Sequence, residues 1–173
     1  MNGHSLGSQL MIADSMIVPE CVYRPGSFTG LMTLYESNYI KLSRLIAEFD
    51  SFPDAHERLA VSSSDEDCDL YLAVKRRRPY TTTLKLTYLF ALEEPDACQG
   101  ESIPDPDLWV HVYHDARLVE ARRPRVQLAS AMFGATTPAW SRELDWRWQD
   151  NMMLNKWLDY LILRGHQFSA QQS

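Results

Sequence analysis

Two periodicities divide the chain. In SFTGLMTLYESNYIKLSRLIAEF, residues 27 to 49, Leu31, Leu34, Tyr35, Leu42, Leu45, Ile46 and Phe49 recur every three to four positions and share one helical face. Ser27 or Thr29 can cap that helix, because a side-chain oxygen there accepts an amide N–H that the first turn leaves unpaired. The segment Ser51 to Asp54 ends it, since a proline disfavours helical geometry in the residue before it. Period two follows. Leu59 to Ser63 is a short strand candidate, and Ser63 to Asp69 is an acidic turn. Leu70, Leu72 and Val74 alternate with Tyr71, Ala73 and Lys75. Tyr80, Leu84, Leu86, Tyr88 and Phe90 alternate with Thr81, Thr83, Lys85 and Thr87. Arg77 to Pro79 supplies the break between these two runs.

The stretch DLWVHVYHDARLVEARR, residues 107 to 123, predicts a hairpin with a two-residue turn at Asp115 and Ala116. Such a turn pairs His114 with Arg117, Tyr113 with Leu118, Val112 with Val119 and His111 with Glu120. Directly opposed residues share a face. Val110, Val112, Val119 and Ala121 then form an apolar face, and Trp109, His111, Tyr113, Leu118, Glu120 and Arg122 form the other. The preceding segment, Glu93 to Asp107, is acidic and carries three prolines, which predicts a mobile loop too polar to pack. Arg125 to Met132 is a weaker strand candidate, and Gly134 to Ala139 is a loop. A second helix is predicted over Ser141 to Arg164. Its apolar face is Met153, Leu154, Trp157, Leu158, Tyr160 and Leu161, and Gly165 is its stop signal.

Helix, meander and helix give an α+β fold: an antiparallel β-meander of about five strands packed against an N-terminal and a C-terminal helix. Residues 1–26 read as a flexible extension, 27–166 as a single domain and 167–173 as a disordered tail.

Composition narrows the function classes. The chain has 173 residues, enough for one full core, and its 45% hydrophobic content fits an ordinary globular protein. The net charge of −6 disfavours general nucleic-acid binding, though a local basic patch is an exception to that argument. Cys21, Cys68 and Cys98 lie far apart with no C-x-x-C spacing, so neither a disulfide framework nor a structural zinc site is expected. Reduced thiols and a poor signal-peptide pattern point to a cytoplasmic protein. No metal and no cofactor are expected, and there is no glycine-rich nucleotide loop.

The segments LMTLYESNYIKLSRL, YTTTLKL, VHVYHDARLVEA and DWRWQDNMMLNKWLDYLILRG, in this order, resemble the YqiB-like family of uncharacterised bacterial proteins. The resemblance spans about residues 28 to 166. It implies a small cytoplasmic protein of unsettled activity. His111 stands where the resemblance implies Arg, and Trp146 where it implies an acidic residue.

The polar positions divide into three groups. His111, Tyr113 and Glu120 share the hairpin's non-valine face. They are either a solvated cross-strand pair or a His–Glu acid/base pair, in which the carboxylate raises the histidine's pKa. His111 and His114 are three apart, so a regular strand sends them to opposite faces and one metal cannot take both. Asp145, Arg147, Gln149, Asp150 and Asn151 open the second helix, and Asn38 falls within the first helix's apolar face. These are either wet helix starts and a packing asparagine, or a ligand pocket in which Arg147 grips a carboxylate or phosphate. Lys75, Arg76, Arg77 and Arg78 form the one basic run. It reads as a solvated turn or, joined by Lys85, Arg122, Arg123 and Arg125 if the strands are adjacent, as a phosphate-binding patch. Trp146 and Trp148 point about 160° apart at ~100° per helical residue, so one of them is a candidate partner contact.

The first functional reading is a non-enzymatic binding or regulatory module acting through protein–protein contact. The alternative is a small-molecule protein for a nucleotide or phosphate-bearing ligand, with weak enzymatic activity conceivable. Catalytic residues are not identified, and the enzyme question leans towards no. A protein partner and a small anionic ligand are the candidate partners. No membrane partner is expected. Nucleic acid bound through Arg76 to Arg78 is the third and least favoured reading.

Overall fold

The computed structural model describes residues 26–47, 49, 59–91, 102–123 and 139–168. Helix α1 spans Phe28–Leu45. Ser27, in extended geometry, caps it by accepting the Gly30 amide at 3.1 Å. The helix stops at Leu45, before the Ser51–Asp54 segment expected to end it. Phe49 lies beyond it, where its ring meets Tyr39 and His114. The strands are β1 (Ala60–Ser64), β2 (Asp67–Arg78), β3 (Thr81–Ala91), β4 (Ser102–Tyr113) and β5 (Leu118–Arg122), and helix α2 (Ala139–Leu163) follows. The five strands form one antiparallel sheet in sequential order, β1 to β5, so β1 and β5 are its edges. The fold is α+β, with the helices flanking the meander in sequence.

Register explains the core. Val74, Leu84, Val110 and Ala121 stand opposite one another across four strands, and Leu72, Leu86 and Leu108 make a neighbouring row. These residues pack against Leu42, Leu45 and Ile46 of the α1 end and against Leu154, Leu158 and Leu161 of α2. Each is almost wholly removed from water. Full burial of such an aliphatic side chain is worth about 1.5–3 kcal/mol, which makes this row pattern the main driving force for the sheet's position. A second cluster joins Leu31, Leu34, Tyr35 and Trp148, with Leu118 of β5 against it.

Four expectations change. The β4–β5 connection is a four-residue turn, His114 to Arg117, closed by the Tyr113–Leu118 pair, not a two-residue turn. Arg117 adopts φ 53°, the left-handed conformation that ends a type I-based loop. Register is the same for both loops, so the face assignment is unaffected. The acidic segment does not stay loop to Asp107: β4 begins at Ser102, and Ile103 pairs with Phe90 and Asp105 with Tyr88. The main-chain ladder satisfies the backbone there despite the polar side chains. The basic run is strand, not turn, because β2 continues through Arg78. The segment expected to be a disordered tail from 167 is packed at its start: Phe168 is 1% exposed, bridges Ile46, and donates its amide to the Leu45 carbonyl at 2.8 Å.

That last packing depends on how α2 ends. Gly165 adopts φ 78°, His166 donates to the Leu161 carbonyl and Gly165 to that of Ile162. This is the Schellman arrangement, and it turns the chain back onto the core. The proposed 1–26 extension lies outside the described residues apart from Gly26. The 125–132 strand and most of the 134–139 loop also lie outside them. No described helix is long and apolar enough to cross a membrane.

Candidate functional site

The buried polar groups come first, because they separate structural from available chemistry. Glu120 is 2% exposed although it lies on the side of β5 opposite the valines. β5 is an edge, so Tyr35 of α1 and Arg147 of α2 reach the carboxylate past it. Oε1 accepts from the Tyr35 hydroxyl (3.1 Å) and Arg147 Nη1 (2.6 Å). Oε2 accepts from Arg122 Nη2 (3.0 Å) and the Tyr113 hydroxyl (3.3 Å). Four donors converge on two oxygens. Burial and the carboxylate's field push the Tyr35 and Tyr113 hydroxyls above the ordinary tyrosine range. The arrangement ties both helices to the sheet edge. Arg147 does grip a carboxylate, but it belongs to the chain itself, and its Nε also holds Glu143.

The His111–Glu120 acid/base pair is not formed. His111 bonds Thr83 Oγ1 through Nδ1 at 3.2 Å. Its pKa is lowered, not raised: desolvation and then the Arg122 charge outweigh the Glu120 carboxylate, and Arg76 adds to the depression. His114, on the valine side, meets Thr82 Oγ1 at 2.8 Å.

Between the helices runs an asparagine ladder. Asn151 Oδ1 accepts the Ala121 amide at 2.8 Å, and its Nδ2 donates to the Ala121 carbonyl at 3.2 Å. The carboxamide thus pairs with the outer edge of β5 as a neighbouring strand would. Asn38 donates to Asn151 Oδ1 and accepts from Asn155 Nδ2. Lys41 closes the ladder on Asn155 (2.8 Å) and Asp159 (2.6 Å). Asn38 and Asn151 therefore meet, but as packing partners with no space between them. Asp145 and Gln149, expected beside them, are exposed. Trp148 is the buried tryptophan and Trp146 the exposed one, at 39%.

A third cluster gave no warning in the sequence. Ser62 Oγ lies 3.2 Å from His166 Nδ1, and His166 Nε2 lies 3.2 Å from Asp67 Oδ2. The composition is that of a hydrolase triad, but the geometry is not. Ser62 and His166 are 2% and 3% exposed, Ser62 Oγ already accepts the Gln167 amide, and Asp67 takes the Tyr88 hydroxyl at 2.7 Å. No scissile carbonyl can reach the serine, so the cluster anchors the chain after α2 to β1 and β2. Its members come from positions 62, 67 and 166, a separation that no local motif reveals.

On the other side of the sheet the helix contacts among the described residues fall at the β5 edge, at Glu120 and Leu118; that side, away from β5, is called the helix-free face below. Register sets out three rows there. Ala73, Lys85, Trp109 and Arg122 form one; Arg76, Thr83, His111 and Glu120 the next; Arg78, Thr81, Tyr113 and Leu118 the third. Tyr71, opposite Thr87, continues the face. Arg76 and Arg78 are exposed, and among the described residues neither has a carboxylate partner. Lys85 is paired with Asp107 at 2.9 Å. Arg77 alternates to the helix side and donates to the Phe49 carbonyl, and Lys75, at the bulge between Val74 and Arg76, is exposed. The basic run thus splits by strand alternation, and Arg76 and Arg78 join Lys85 and Arg122 on one surface. Arg123 goes to the buried Asp150.

A groove of about 600 Å³ lies elsewhere, between α1 and the β4–β5 turn, lined by Glu36, Tyr39, Ile40, Arg44 and Arg117 among others. None of the expected ligand residues borders it. Among the described residues no three His, Cys, Asp or Glu side chains are placed to hold a metal ion. Cys68 is an exposed free thiol.

A family model described as "Protein of unknown function (DUF1249)" matches residues 41–167. The match takes in the last turn of α1, from Lys41, the whole sheet and α2. The chain belongs to this family of unknown function. No curated protein and no solved structure matches it.

Proposed function

We propose that this DUF1249 member is a binding module whose working surface is the helix-free face of the sheet, and that its ligand carries phosphate. The observation that supports the reading is the convergence of Arg76, Arg78, Lys85 and Arg122 with His111 on one face, through a register in which β2, β3 and β5 each contribute a cation. Arg76 and Arg122 lie close enough to His111 to depress its pKa. A like-charged cluster of this kind gains free energy when an anion enters, because the anion relieves the mutual repulsion and accepts hydrogen bonds from guanidinium groups. The buried Glu120, Asn151 and His166 networks hold the sheet that presents these groups.

An NMR titration of the His111 ring with inorganic tripolyphosphate tests this. The anion is expected to raise the His111 pKa and to shift amides on β2, β3 and β4, and the Arg76→Glu/Arg78→Glu double variant is expected to lose both effects. Shifts confined to other surfaces would refute the reading.

A second reading, contact with a protein partner, is supported by Trp140 and Trp146, which are 72% and 39% exposed at the start of α2. Large exposed aromatics are common anchors in interfaces. Trp148 is not a useful probe of it, being core. Pull-down with Trp140→Ala and Trp146→Ala is the appropriate comparison, and an unchanged partner profile in both would exclude this surface.

A further inference from the structure

The helix-free face holds more than cations. Each row also places a ring among its polar groups: Trp109 between Lys85 and Arg122, His111 next to Thr83 and beyond it Arg76, Tyr113 next to Thr81 and beyond it Arg78. Tyr71 stands one row further out, opposite Thr87. Trp109, His111 and Tyr113 are alternate residues of a single strand, β4, so their side chains project in file from the same side. Successive members of such a file stand about 6.5–7 Å apart, twice the ~3.3 Å rise of a strand. The cations flank this file on both sides, Arg76 and Arg78 from β2 and Arg122 from β5. Three inter-strand steps of about 4.8 Å separate these strands, roughly 14 Å in all.

We infer that the phosphate-bearing ligand of this face is a single strand of nucleic acid. The inference rests on the reading above and narrows it. A file of half-buried rings with a line of cations beside it, Arg76 and Arg78 of β2, matches what a single strand presents, bases along one side and phosphates along the other. Stacking on aromatic side chains is tolerant of base identity, since every base offers a π-face. A duplex hides those faces and has no use for the file. The roughly 14 Å between the β2 arginines and Arg122 of β5 is wider than a single phosphate group needs and suits a short run of nucleotides laid across the sheet. The chain's net charge of −6 does not oppose this, because affinity follows the local cluster. Within the three rows and beside them, Asp107 is paired with Lys85 and Glu120 with Arg122 and Arg147, and Asp69 of β2 lies beyond Tyr71, away from the arginine pair. The acidity elsewhere weakens indiscriminate binding.

Fluorescence anisotropy of labelled ten-nucleotide oligo(U) and oligo(dT) with the full chain tests the inference. Binding is expected to weaken with salt, with a log–log slope of about −2 to −3 for three or four phosphate contacts on a single strand. Arg76→Glu/Arg78→Glu is expected to weaken it at least tenfold and to flatten the slope. Trp109→Ala is expected to weaken it about tenfold, with Trp109→Phe intermediate, and Arg44→Glu on the far groove is expected to leave it unchanged. Far-UV circular dichroism checks that each variant is folded, and the exposed arginine pair serves as the probe if Trp109→Ala is not. Equal or tighter binding of a duplex of the same length would overturn the inference. So would oligonucleotide binding indifferent to both Trp109 and the arginine pair. Tripolyphosphate shifts at His111 without oligonucleotide binding would overturn the single-strand inference and leave the phosphate reading standing. Silence from both ligands would overturn both.

Discussion

Removing the Asn151 carboxamide is the most direct test of how the sheet edge is held. Ala121 is 1% exposed, and its amide and carbonyl both bond to Asn151, at 2.8 and 3.2 Å. The same side chain donates to the Arg147 carbonyl at 2.8 Å and accepts from Asn38 at 3.3 Å. Asn151→Ala leaves the Ala121 amide and carbonyl buried without these partners. A buried backbone group stranded in this way costs about 1–3 kcal/mol, and an ordinary neutral hydrogen bond contributes about 1 kcal/mol. The amide is the stricter loss, since the carbonyl has a second lone pair, so the expected destabilisation is about 3–4 kcal/mol. Urea unfolding should show it as a lowered midpoint at unchanged slope. In heat it corresponds to roughly 6–16 °C, at about 2–4 °C per kcal/mol for a chain of this size. Hydrogen exchange adds a local readout: the Ala121 amide should lose protection before the Val110 and Val112 amides of β4. Asn151→Asp separates the two halves of the bidentate contact. It keeps an acceptor for the Ala121 amide, places a second oxygen against the carbonyl and buries a charge, so it should cost at least as much as alanine. A loss under about 0.5 kcal/mol for Asn151→Ala, within the usual range for surface substitutions, would refute the view that the asparagine acts as a surrogate strand.

Other outcomes follow from the same contacts. Phe168→Ala should cost about 3–5 kcal/mol by equilibrium unfolding, the range for removing a buried aromatic ring; a small effect would return Phe168 to the tail. Glu120→Gln should cost about 2–3 kcal/mol, because it removes a buried charge that receives two guanidinium groups, one on each oxygen; Tyr35→Phe, losing one hydrogen bond, should cost about 1 kcal/mol, and a larger loss than for Glu120→Gln would reverse the assignment of the hub. Burial opposes the charge of Asp67, but the Tyr88 hydroxyl, the Cys68 amide and His166 outweigh it and hold its pKa below the ordinary value. A depressed carboxylate stabilises above its unfolded pKa of about 4 and loses that contribution as pH falls through the folded value, so Asp67→Asn should flatten the acid limb of the stability curve below about pH 4. His111 is depressed too, so its contribution is complete above about pH 6.5 and lost as pH falls through the folded value. His111→Gln should therefore reduce the fall in stability below pH 6.5, and an unchanged profile would contradict the positioning of Arg122 and Arg76 beside the ring.

Periodicity carries the face of a strand but not what lies past its last neighbour. The Val110, Val112, Val119 and Ala121 face was legible because a register error of one residue would have exposed all four. Glu120 was placed on the correct side of β5 by the same logic and still misread as solvated. What buries it is the position of β5 at the sheet edge, where Tyr35 and Arg147 reach round from helices distant in sequence. The basic run shows the same limit in reverse. As a string, Lys75 to Arg78 looks like one patch. Strand geometry sends Arg77 to the Phe49 carbonyl and keeps Arg76 and Arg78 with Lys85 and Arg122, residues that become neighbours only when all five strands stand in order.

The buried Ser62–His166–Asp67 cluster and the exposed arginine rows argue together about where function resides. Catalytic groups need a vacant position for a reacting atom, and each acceptor of the buried cluster already has a partner inside the chain. Its chemistry is consumed in fixing β1, β2 and the end of α2. Arg76 and Arg78 are the opposite case: held by a rigid strand, exposed, and with no carboxylate partner among the described residues. Two guanidinium groups on alternate residues of one strand repel, and repulsion within a cluster lowers the cost of bringing an anion to it. The buried polar networks therefore do their work in the folded chain alone, while the exposed cations of β2 are the groups that the proposed reading assigns to an anionic ligand.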